Sequence, residues 1–169
     1  MNPRFLAFVV FASYLLFSPA AISSPLPEPS GTVLLTLTGA ITNTNSPGQA
    51  DFDRTMLESI GLTELVTSTP YTDGKPTFRG VILAKLLDAA GATGVKLHVA
   101  AVNGYQVVLD ADEMRRYPIL IALEQDGKPL RLRDRGPLWV ILPSDQYPEL
   151  KADSQNFKSI WQVKSIDIQ

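Results

Sequence analysis

The segment VKLHVAAVNGYQVVL, residues 95–109, constrains the fold more than any other stretch of the chain. Two β-rich runs flank Asn103-Gly104, the dipeptide favoured in a type I′ turn, so the segment predicts an antiparallel hairpin. Side chains alternate on a strand, so Val95, Leu97, Val99 and Ala101 face one way and His98 the other. A hairpin with one apolar face needs further layers to cover it, which sets the question for the rest of the chain.

Those layers are readable in outline. TVLLTLTGAI predicts a strand, with Val33, Leu35 and Leu37 alternating against Leu34, Thr36 and Thr38. Asp51 is placed to cap a short helix through Ile60, in which Phe52, Met56 and Ile60 stack at every fourth position and Gly61 ends the run. RGVILAKLLDAAGATG predicts a second helix from near Gly80, with Val81, Leu83, Leu86, Leu87 and Ala90 on one face and Gly91 at its stop. Asp110 followed by Glu113 has the spacing of a capping box for a third helix.

Downstream, PILIALEQ, Asp126-Gly127 and KPLRLRD predict another hairpin, with arginines on its second arm. GPLWVILP reads as a buried strand, PSDQYPELKADSQNF as a polar loop, and SIWQVKSIDIQ as a closing strand with a bulge near Lys164. The sum is about seven strands and three short helices: one sheet-dominated, mixed-β domain of the α+β class over residues 32–169.

Residues 1–23 carry Arg4, an apolar run over 5–17 and small residues after it, the layout of a cleaved secretory signal peptide. The run is short against the roughly 20 residues that span a bilayer. Three prolines within residues 24–31 predict an extended leader. The expectation is an exported protein, periplasmic or extracellular, with no stable membrane insertion after cleavage. The chain has no cysteine, which removes thiol catalysis, thiolate metal sites and disulfides. A net charge of −2 without any basic tract argues against nucleic acid as a partner, and a single histidine argues against an imidazole-built metal site.

Candidate site residues come from three places. Arg131, Arg133 and Arg135 would share one strand face; either they converge with Arg79 and Lys158 on an oxyanion or phosphate, or they form a solvated edge. Arg79 stands just before the expected second helix, whose free N–H groups would favour an anion, and Lys75 lies four residues earlier. The loop 68–80 is therefore the expected rim of a pocket. Tyr105, Trp139 and Trp161 are candidate pocket aromatics, with Trp139 better suited to the core or the pocket wall than to direct ligand contact. Asp110, Asp112 and Glu113 are explained by capping, and His98 has no partner near it in sequence.

The order of FRGVILAKLLDAAGA, AVNGYQVVLDADEM, ILIALEQDGKPLRLRDRGPLWVILP and KSIWQVKSIDI resembles the molybdopterin-binding oxidoreductase domain of the sulfite oxidase family. That resemblance implies the family's fold and a pterin-linked molybdenum cofactor. In catalytic members a cysteine before the Phe-Arg-Gly motif ligates the metal; here the stretch is LVTSTPYTDGKPTFRG, with Ser68 or Thr69 about where that cysteine belongs. Leu138 and Trp139 follow Pro137 where the family often has an arginine, while Trp161 matches its closing tryptophan. The resemblance, less the cysteine, implies a non-catalytic binding or accessory module taking a small anion or pterin-like ligand, or an envelope protein. The alternatives are an oxidoreductase that keeps the cofactor without a cysteine ligand, and a partner of an envelope sensor. No catalytic residue or metal ligand is assigned. The ligand candidates are Ser68, Thr69, Lys75, Arg79, Tyr105, Arg133, Trp139, Lys158 and Trp161.

Overall fold

The computed structural model describes residues 26–151 and 153–169. The signal peptide expected at 1–23 and the start of the leader expected at 24–31 lie outside the described residues. The rest of that leader is part of the domain: Leu26 packs on the core, and the N–H groups of Ser30 and Gly31 both donate to Asp53 Oδ2 at 2.7 Å.

Two five-stranded sheets organise the chain. The first has the order β2-β1-β10-β5-β6, from Gln49–Asp53, Val33–Gly39, Val163–Ile168, Lys96–Ala101 and Gln106–Asp110. Its β1–β10 pairing is parallel and its other pairings are antiparallel. The period-two reading of β1 holds from Leu35 onward, with Leu35 and Leu37 fully buried and Thr36 and Thr38 facing outward to Asp51 and Asp167; before it, across the register shift between Val33 and Leu35, Val33 is exposed and Leu34 packs against the core. The expected bulge is present, since the β10–β5 register shifts between Val163 and Ser165, at Lys164.

The second sheet pairs β3 (Leu62–Val66), β4 (Thr77–Ile82) and β7 (Leu120–Gln125), with β8 (Lys128–Pro129) and β9 (Trp139–Ile141) both on the far edge of β7. Both faces of β7 are covered. Ile121 and Leu123 join the main core, whereas Leu120 and Ala122 join Phe78, Trp139 and Ile141 in a smaller cluster on the opposite face. The helices α1 (Arg54–Ser59), α2 (Leu83–Ala89) and α3 (Ala111–Arg116) contribute Met56, Leu57, Leu83, Leu86, Leu87 and Met114 to the main core. The sheet-dominated α+β class therefore stands, with ten strands among the described residues rather than about seven.

Four local expectations change. Residues 51–53 are strand, not helix: Ala50 and Phe52 point inward from β2, and α1 starts only at Arg54, capped by Asp53 through the Met56 N–H at 2.8 Å. Thr77–Ile82 is likewise strand, so the second helix begins at Leu83, after an Ile82 N-cap with no side-chain bond. Pairing with β7 overrides the helical spacing there. In the Asn103-Gly104 turn only Gly104 has positive φ, at 86°, and its N–H donates to Ala101 O. The turn is thus centred on Val102 and Asn103 with a left-handed glycine after it, a three-residue design rather than type I′. Asp126-Gly127, expected only as a hairpin turn, has φ of 50° and 72°, the positive values at both central residues that a type I′ turn requires.

The fourth change concerns the arginines. Residues 131–135 do not extend β8; Leu132–Asp134 is a 3-10 turn, and Arg135 is left-handed with φ of 68°. A Cβ on Gly136 would lie 2.1 Å from Leu130 O, so the chain doubles back on itself at that point. The three arginines consequently share no strand face.

Candidate functional site

The loop 67–76 joins β3 to β4, and the segment after β9 lies against it. Asp145 is the bond between them. Its Oδ2 accepts the Ser68 N–H at 3.0 Å and Lys75 Nζ at 3.2 Å; its Oδ1 accepts the Ser68 hydroxyl at 2.8 Å and Lys151 Nζ at 3.3 Å. The Asp145 N–H donates to Thr67 Oγ1 at 3.3 Å, and Ser144 Oγ donates to Ser68 O at 3.2 Å. The Ser68 N–H, then its hydroxyl, hold the Asp145 carboxyl far below the usual carboxylate range, with the two lysines adding and burial opposing. This carboxylate is ionised and saturated with donors, so it makes a poor base for activating Ser68.

The same geometry tests the molybdenum site. The chain supplies no thiolate, and the Ser68 hydroxyl donates its proton to Asp145 rather than facing outward as an anionic ligand. Thr69 Oγ1 is also engaged locally, accepting the Tyr71 N–H at 3.1 Å. Among the described residues no three His, Cys, Asp or Glu side chains gather as a metal cluster. The residues present do not fit a metal-ligand set of the kind the family resemblance implies.

Two adjoining cavities open beside this knot. One of about 220 Å³ is walled by Ser68, Thr69, Ser144 and Lys151; the other, of about 300 Å³, by Tyr71, Asn103, Tyr105, Phe157 and Trp161. Asn156 and Ser159 line both. Among the described residues no charged side chain lines the aromatic cavity. Beside the polar one, Lys75 and Lys151 share the single carboxylate of Asp145, and Lys151 lines the cavity.

Beneath the cleft the aromatics are fixed. Trp139 is fully buried; its Nε1 donates to Ser159 Oγ at 3.1 Å, and that hydroxyl donates to Val140 O at 2.9 Å. Phe78 meets Trp139 edge-on at 5.4 Å, and Tyr71 meets Trp161 edge-on at 4.9 Å. The Arg135 guanidinium lies 5.2 Å from the Trp139 ring and 5.9 Å from the Trp161 ring.

Of the residues expected from sequence, the structure brings Ser68, Thr69, Tyr105 and Trp161 to the cleft, with Lys75 attached through Asp145 and Trp139 behind it. The others lie elsewhere. Arg79 is not at a helix N-terminus; it stands on β4 and pairs at 3.5 Å with Glu124, which Arg54 also engages. Lys158 is buried and tied to Glu113 of α3. That pairing also takes the Glu113 side chain expected to complete the capping box, although Asp110 caps the Glu113 N–H at 3.0 Å as foreseen. Arg133 is 72% exposed in a separate groove. The proposed convergence of Arg131, Arg133, Arg135, Arg79 and Lys158 on one anion is therefore not formed. Sequence reasoning missed Asp145, Lys151, Tyr71, Asn103 and Asn156; the one usable signal was the PSD turn after a buried strand, read only as polar loop.

No family model matches the chain, and no curated protein matches it. Among solved structures it is similar to the sulfane dehydrogenase SoxCD from Paracoccus pantotrophus, at a TM-score of 0.58 and 16% identity. The match covers 79% of this chain but only 37% of the dehydrogenase chain. At that identity the likeness is one of fold: the chain is built as an α+β domain distantly related in structure to part of that dehydrogenase.

Proposed function

We propose that this domain is an exported, non-catalytic binding module that holds a flat, anionic small molecule of the pterin-like kind in the two-chambered cleft. The observation that carries the reading is the commitment of Ser68 to Asp145. The residue standing near the resembled family's metal-ligating cysteine gives both its N–H and its hydroxyl to a carboxylate that two lysines also engage. The cleft beside it keeps the features of a binding site. Aromatic rings and amides would take an uncharged planar body, and Lys151 would take its anionic end.

The test uses protein purified from its native source. Elemental analysis is expected to find no molybdenum, and stoichiometric molybdenum would overturn the non-catalytic reading in favour of an oxidoreductase that retains the cofactor. Titration with a carboxylated pterin is expected to quench the Trp161 emission and to weaken on Lys151→Ala. A pterin that leaves the emission unchanged would remove the ligand class while leaving the metal result intact.

A further inference from the structure

Away from the cleft, charge is concentrated in a groove of about 810 Å³ between the β7–β8 hairpin and the turn at 131–135. Four cations line it, Lys128, Arg131, Arg133 and Arg135, against two carboxylates, Asp126 and Asp134. Both carboxylates are already engaged. Asp134 is shared by Arg131 at 2.6 Å and Arg133 at 4.0 Å, and Asp126 accepts the Thr77 N–H at 2.9 Å. Among the described residues no carboxylate pairs with Lys128 or Arg135. The groove is thus basic in a chain whose net charge is −2.

The turn also presents an apolar side chain. Leu132 is 56% exposed between two arginines, and the backbone holds it there. Gly136 N–H donates to Arg131 O at 2.8 Å, Gln162 Nε2 to Leu132 O at 2.9 Å, and Gln162 N–H to Arg135 O at 3.1 Å. A turn bonded at both ends and at its crest cannot fold Leu132 back onto the core, and such preorganisation lowers the cost of binding. A simple anion would use the cations and leave Leu132 wet. A segment carrying carboxylates around an apolar residue uses both.

We propose that this groove docks an acidic segment of a protein partner, with Lys128, Arg133 and Arg135 pairing with its carboxylates and Leu132, which stands beside the groove between two of its lining arginines rather than in its lining, meeting an apolar side chain of the same segment. Both tryptophans of the chain lie under Arg135, so docking is expected to change the intrinsic emission. The test is fluorescence anisotropy with a short labelled peptide of glutamates interrupted by leucine. A lysine counterpart, phosphatidylserine vesicles and a single-stranded oligonucleotide serve as the other arms.

The glutamate peptide is expected to bind, more weakly at about 150 mM than at about 20 mM salt. Arg133→Glu is expected to weaken it about tenfold, since an attraction is replaced by a repulsion. Leu132→Ser is expected to weaken it severalfold. Arg133 is 72% exposed, so its reversal should leave the unfolding midpoint unchanged, which separates lost docking from lost fold. Failure of the peptide to bind, binding indifferent to Arg133→Glu, or equal binding to vesicles or oligonucleotide would each overturn the proposal.

Discussion

Gly80 lies in the Phe-Arg-Gly motif, and the structure gives it a physical duty that a substitution can measure. It stands on β4 opposite Ala122 of β7, next to the register shift between Arg79 and Gly80. A Cβ built there would meet Ile121 O at 2.0 Å and Ala122 Cα at 2.7 Å, where ordinary contact begins at 3.4 Å. Both obstacles are backbone, so neither can swing aside. Gly80→Ala must push β4 from β7 by more than an ångström and disturb a ladder running from Phe78↔Gln125 to Ile82↔Leu120. Overpacking of this kind costs about 1–3 kcal/mol, and two weakened ladder bonds add about 1 kcal/mol each. The expected loss is about 4 kcal/mol, which at a urea slope of about 2 kcal/mol per molar moves the midpoint down by about 2 M. Gly74→Ala is the control: its φ is +64° but nothing lies within 4 Å of a Cβ, so only about 1 kcal/mol of backbone strain is expected. If Gly80→Ala proves no more costly than Gly74→Ala, the close approach of β4 and β7 is not what requires glycine.

Three further outcomes are expected. The folded-state Asp145 carboxyl titrates below its unfolded value of 3.8, so its stabilisation is fully present above about pH 4 and is lost as pH falls toward the folded-state value. Urea midpoints at pH 7 and pH 3 should therefore differ more for wild type than for Asp145→Asn. Trp139→Ala removes a fully buried indole and its bond to Ser159, and should cost about 3–5 kcal/mol by the same assay. Lys158→Met breaks the pair with Glu113 and should cost about 1–2 kcal/mol while leaving pterin titrations unchanged, because Lys158 ties a 3-10 turn to α3 rather than facing the cleft.

Where a signal was local it could be read from sequence. The alternation of β1, the Asp126-Gly127 turn, the Asp110 cap and the bulge at Lys164 each depend on a few adjacent residues. Errors arose where two local patterns fitted and a distant partner chose between them. Phe52 completes a helical triad with Met56 and Ile60, but it also alternates with Ala50, and pairing to β1 selected the strand. The spacing of Arg131, Arg133 and Arg135 imitates a strand face, yet the contact of Gly136 with Leu130 O bends the chain into a turn. The site divides in the same way. Ser68, Thr69, Tyr105 and Trp161 were marked by resemblance and aromatic character, whereas Asp145 acts on Ser68 across 77 residues and left no trace beside it.

The parallel pairing of β1 with β10 has a consequence for how this chain reaches its fold. Strand β10 sits in the middle of the first sheet, between β1 and β5, so β1–β2 and β5–β6 can each form early yet have no common partner until Val163–Ile168 arrives. The hydrogen bond from Thr38 to Asp167 spans 129 residues, a loop closure whose entropy cost comes before the pairing can offset it. Until that strand pairs, the folding chain carries two unmated hairpins with open apolar faces, and the step that joins them is long-range and slow.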